Sequence, residues 1–109
     1  MSVMVIVCLK PKPGADDGLL QLVKTHLPKL REQGLVGDDP SLCGRAKDGT
    51  IIEVFCWKSE AAIQQAHENL AVQKMWEEFS DVCGYVKIAD VPEALEMFSG
   101  FEAIDLSSS

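Results

Sequence analysis

The sequence predicts an α+β domain of the ferredoxin-like, split βαβ kind, with the order β-α-β-β-α-β and a four-stranded antiparallel sheet. Three observations carry this. Two apolar, strand-like runs, "SVMVIVCLK" and "TIIEVFCW", are each followed by a segment with helical spacing of its apolar residues. An Asp48-Gly49 pair, the residue pair that favours tight hairpin turns, stands directly before the second of these runs. A last apolar stretch, "GYVKIADV", supplies a fourth strand after the second helix. The chain of 109 residues is the length of one domain. We expect residues 1–106 to form it and residues 107–109, "SSS", to fray as a C-terminal tail.

The elements follow in order. Ser2–Lys10 is apolar on both strand faces, so it needs cover on both sides. "PKPG" stops it. Asp16 is the expected cap of a helix from about Asp17 to Gln33, with Asp17 at its positive end. Leu19, Leu20, Val23, Leu27 and Leu30 form its apolar stripe. Pro28 removes a backbone hydrogen bond and is expected to kink or split this helix. Gly34 and Gly37 end it. "SLCGRAK" is a weaker second strand, and Thr50–Trp57 the third. Alternation puts Ile51, Glu53, Phe55 and Trp57 on one face of the third strand, and Ile52, Val54 and Cys56 on the other.

Ser59 is a good helix cap, and Glu60 suits the first turn. Ala62, Ile63, Ala66 and Leu70 are expected to point inward. Asn69 reads as a break or second cap before a helical piece with Val72, Met75, Trp76, Phe79 and Cys83 on one face. Gly84 to Val91 is the expected fourth strand, "PEALEMF" a short helix opened by Pro92, and Phe101 to Leu106 an extended arm. Four strands with two helices leave one sheet face bare. An apolar bare face predicts a homodimer in which two sheets pack against each other around a two-fold axis.

Charge and cysteine content exclude several functions. The formal charge is −7, which repels phosphate backbones and excludes nucleic acid as a partner. The longest apolar run, Val3 to Leu9, is too short to span a bilayer, so no membrane partner is expected. No secretory signal pattern is visible, which gives a cytoplasmic expectation. Cys8, Cys43, Cys56 and Cys83 lack the paired spacing of zinc or redox motifs and read as reduced, structural thiols. There is no phosphate loop or dinucleotide glycine motif, and no metal-ligand cluster; no cofactor is expected.

The ordered features "KPKPG", the "DGT" hairpin, "EVFCWKSEAA", a histidine on the following helix and the aromatic "KMWEEF" resemble the antibiotic biosynthesis monooxygenase-like domains of the dimeric α/β-barrel superfamily. The resemblance covers residues 2 to about 90. It implies a homodimer and a pocket between sheet and helices. It also implies cofactor-independent oxygenation, or isomerisation, of a small aromatic, quinol-like or enolic compound. Haem-degrading relatives carry an asparagine on the first strand and a Trp-then-His pattern on the second helix. Here Ser2–Lys10 has no asparagine and the helix carries Ala66-His67, so that activity is not implied.

Candidates for chemistry follow. The resemblance makes His67 the general base, since imidazole takes a proton near neutral pH; a boundary histidine bonded to backbone is the plain alternative. Trp57, Trp76 and Phe79 would be aromatic pocket walls, or simply core. His26 falls mid-stripe on the first helix, two residues before Pro28, where a desolvated imidazole needs a partner or a ligand. Glu53 lies among apolar neighbours and is expected to pair with Arg45. Asn69 could hold an oxyanion, or only cap a helix. Two functions remain open: a cofactor-independent monooxygenase or isomerase, and a non-catalytic dimeric module that binds a small apolar ligand or only assembles.

Overall fold

A computed structural model describes residues 1–106; the frayed tail expected over 107–109 lies outside the described residues. The elements are β1 (Val3–Pro11), α1 (Asp16–Glu32), β2 (Leu42–Arg45), β3 (Ile51–Trp57), α2 (Glu60–Glu68), α3 (Leu70–Val82), β4 (Cys83–Val86) and β5 (Glu102–Ala103). Two single 3₁₀ turns, Ile88–Asp90 and Pro92–Leu95, lie between the last two strands. The sheet has five antiparallel strands in the order β4-β1-β3-β2-β5, so the fold is α+β with a central β1–β3 pair. The extra strand is the expected C-terminal arm, which pairs Glu102 and Ala103 with Arg45 and Gly44.

The alternation of β3 is as expected. Ile51, Glu53, Phe55 and Trp57 are buried beneath the helices, while Cys56 is exposed on the far side. Register then places Val5 beside Phe55 and Val7 beside Glu53 on the helix-covered face. The main core lies here, between this face and Leu19, Val23, Leu27 and Leu30 of α1, Ala62 and Ala66 of α2, and Val72, Met75 and Phe79 of α3.

Several local expectations need correction. The α1 helix starts at Asp16, with Ala15 at the cap position and no side-chain cap, because a turn closed by Ala15 N–H on the Lys12 carbonyl delivers the chain one residue early. Pro28 does not split α1, which runs unbroken to Glu32 with the proline on its exposed side. Gly34 ends it as expected, at φ +74°, a conformation only glycine adopts without strain. Leu70 is exposed rather than inward. The break at Asn69 resets the helical phase, so the residue that continues the Ala62–Ala66 stripe turns to solvent. The strand β4 ends at Val86, and "PEALEMF" makes only one 3₁₀ turn.

The early end of β4 has a cause on the opposite sheet face. Val91 is buried there against Cys8, Ala46 and Ile52, with Ala94 and Phe101 packed beside them. Burying Val91 requires the chain to leave the sheet edge and cross to that face. The face expected to be bare is therefore partly covered by the chain's own residues 88–101. Met4, Ile6 and Leu42 on it stay exposed, as does Cys56. Among the described residues no helix is long and apolar enough to cross a membrane.

Candidate functional site

A pocket of about 490 Å³ opens between the helix-covered sheet face and the helices. From the sheet come Val5, Val7, Leu9, Phe55, Trp57 and Tyr85. From the helices come His26, Ile63, His67, Trp76, Phe79 and Ser80. The volume is in the usual range for small-molecule sites, as is the balance of many apolar walls and few polar groups. Five of the six residues expected at a site, His67, Trp57, Trp76, Phe79 and His26, meet here. Asn69 does not line the pocket. Its side chain accepts from Val72 N–H at 3.1 Å, capping α3, and donates to Gln33 Oε1 at 3.0 Å.

The deepest polar feature is a pair. His26 Nδ1 lies 2.6 Å from Glu53 Oε1. His26 comes from the buried stripe of α1 and Glu53 from the centre of β3, so the pair bridges helix and sheet across the core. Glu53 has 0% exposure. Its expected partner, Arg45, instead bonds Glu102 at 3.2 Å, because Arg45 stands opposite Ile51 and beside the β5 arm. Cys43 is the residue opposite Glu53 on β2. Burial, together with the neighbouring Glu53 carboxylate, pushes the Cys43 thiol up to about 11, so it stays protonated.

Phe55 and Phe79 meet the His26 ring edge-on, each at 5.3 Å between centroids, and fix its plane. The short contact ties His26 Nδ1 to Glu53 Oε1, which leaves Nε2 as the ring nitrogen not engaged by Glu53. Among the described residues the sole sealed side-chain oxygen or nitrogen without a partner is Glu53 Oε2. His26 Nε2 has no hydrogen-bond partner among the described residues, and His26 lines the pocket. Carboxylate, imidazole and cavity thus lie side by side.

His67 is different. It is exposed on α2, and its ring tilts against Trp76 at a centroid distance of 5.2 Å, with no hydrogen bond from either nitrogen among the described residues. It stands at the rim of the pocket. Tyr85, exposed at the pocket edge, adds a phenol whose pKa is raised by partial desolvation and by nearby Cys83. The importance of Glu53 was half visible in the sequence, as a carboxylate on an apolar strand face. Its pairing with His26 was not, because nothing local links positions 27 residues apart. No group of three or more metal-ligating side chains is present among the described residues. No family model matches the chain, and no curated protein or solved structure gives a significant match.

Proposed function

We propose that this protein is an enzyme that takes a proton from a small aromatic, quinol-like or enolic compound held in the pocket, with His26 as the base and Glu53 as its orienting partner. The observation that carries this is the 2.6 Å His26–Glu53 pair at the wall of an apolar cavity. The base role moves from His67 to His26 because only His26 has a partner that fixes its tautomer. Removing a proton beside a carbonyl or phenol leaves a carbanion. Reaction with oxygen turns the CH₂ of an anthrone-like ring into C=O and releases water, a monooxygenation balanced by the substrate's own electrons. Reprotonation at another carbon is an isomerisation. The pocket geometry is common to both.

The strand order β4-β1-β3-β2 supports the finer fold assignment: a ferredoxin-like protomer to which β5 has been added. The exposed Met4, Ile6 and Leu42 support a homodimer through the face away from the helices, over the part that residues 88–101 leave open. The second reading, a binding module without catalysis, draws on the apolar walls, which suit a carrier equally well.

The test is oxygen uptake, and solvent-deuterium exchange, with a panel of anthrones, hydroquinones and naphthols. His26→Gln keeps a donor for Glu53 but removes the base, and should lower the rate about 10²-fold or more. His67→Ala should cost less than about tenfold. Equal rates in wild type and His26→Gln would remove His26 from the mechanism. Binding of the panel with neither uptake nor exchange would leave the carrier.

A further inference from the structure

The polar inventory of the pocket sets the charge of what can enter. Among the described residues no lysine or arginine lines it. Behind His26 lies an acidic group, Glu53, completely buried and with one oxygen unpartnered. Protonating His26 would not supply a cation to an incoming anion. A proton on His26 is shared with Glu53 at 2.6 Å, so it serves an anion formed in place from the substrate that gave it up, not as a free cation drawing a carboxylate or phosphate in from solvent. The apolar walls, chiefly Val5, Phe55, Trp57, Trp76 and Phe79, return none of the hydration that an anion gives up on entry, and the polar groups left to meet it, His67, Ser80 and Tyr85, all sit exposed at the mouth. The rest of the molecule, at a formal −7, adds repulsion.

We infer that the site selects against anionic ligands: it takes neutral, largely apolar compounds and turns away carboxylates, phosphate esters and other acids of the same shape. The inference rests on the pocket assigned above as the site, and narrows its substrate class. Charge rejection here comes from walls that cannot solvate an anion and from a fixed buried carboxylate, with no gate required. It also constrains what stands before this protein in a reaction sequence. The preceding step must deliver its product with any acid group absent or masked, through decarboxylation, esterification or ring closure.

Calorimetric titration with three matched probes, 2-naphthol, 2-naphthoate and 2-naphthyl phosphate, tests this. At about pH 8, above the usual histidine range, 2-naphthol should bind and both anions should bind about tenfold or more weakly. A second protein carries Ser80→Lys, which places a cation at an exposed pocket position. It should gain affinity for 2-naphthoate while still binding 2-naphthol, which also reports that the variant is folded. Anions that bind wild type as tightly as 2-naphthol would overturn the inference and leave the proton-abstraction reading standing. Conversely, selective binding of 2-naphthol without His26-dependent exchange would sink that reading and leave this one. Failure of all three probes to bind overturns both.

Discussion

At the scale of single residues the question is why a small domain keeps a histidine and a glutamate in its core. Each is costly to bury, and a paired charge rarely repays its desolvation better than hydrocarbon of the same volume would. A pair kept for packing should lose stability when both members are replaced; a pair kept for chemistry need not. Glu53→Leu alone strands the Nδ1–H of His26 without an acceptor and should cost about 1–3 kcal/mol. His26→Leu with Glu53→Leu restores matched surfaces against Phe55 and Phe79, and should be as stable as wild type or more so by about 1–4 kcal/mol. Urea unfolding of wild type, the single and the double variant decides it. A double variant less stable than the single would mean that the pair is structural, and the base assignment would lose its main support. The residue types were legible in advance: an imidazole mid-stripe on α1 and a carboxylate on an apolar strand face both need partners. Which partner each finds depends on how α1 crosses β3, and no local pattern encodes that crossing. Arg45, one strand away with opposite charge, is the partner the sequence suggests for Glu53, but it stands opposite Ile51 and pairs with Glu102 instead.

Secondary-structure elements repeat the same division between local and distant causes. Three elements set by short-range signals lie where the sequence puts them, although the Asp16 cap of α1 and the helix opened by Pro92 do not form. Ser59 accepts from Ala62 N–H at 3.1 Å and starts α2; Asn69 restarts the helix as α3; Asp48-Gly49 turns the β2–β3 hairpin with Gly49 at φ +95°. Elements that depend on distant packing do not, as with β4, which stops short so that Val91 can reach Cys8 and Ile52. The hairpin also gives a pH prediction. Asp48 accepts from Thr50 N–H at 2.9 Å, and this backbone hydrogen bond, the largest cause, holds its carboxyl below the usual aspartate value. A depressed native pKa means stability that is present above the unfolded-state value and lost as pH falls through the folded one. Asp48 is exposed, so the effect is small. Asp48→Ala should lower stability by about 0.5–1.5 kcal/mol at neutral pH. The difference should shrink below about pH 4 as the wild-type carboxyl protonates. Chemical unfolding at a series of pH values measures it, and a gap that widened in acid would contradict the assigned hydrogen bond.

For the whole molecule the two sheet faces have separate fates, and Cys56 reports on the second. All four cysteines are free. Burial raises the thiols of Cys8 and Cys83, and Cys43 titrates only near 11. Cys56 is the exposed one, beside Met4 on the face turned away from the helices. Alkylation of the folded protein near neutral pH should therefore modify Cys56 well ahead of the others, since the thiolate is the reacting species and must be reachable. If two copies join through this face, Cys56 becomes shielded as concentration rises. Its alkylation, read by peptide mass spectrometry, should slow over the range in which sedimentation shows a dimer. Met4→Lys with Leu42→Lys should abolish both effects, and because these side chains are exposed in the protomer the fold should survive. The chain's own segment 88–101 already occupies part of the face, so the dimer must form over what is left. Cys56 alkylation at one rate across all concentrations, with a single monomeric species in sedimentation, would sink the sheet-face dimer. The pocket and its His26–Glu53 pair lie wholly within one protomer and would be untouched by that result.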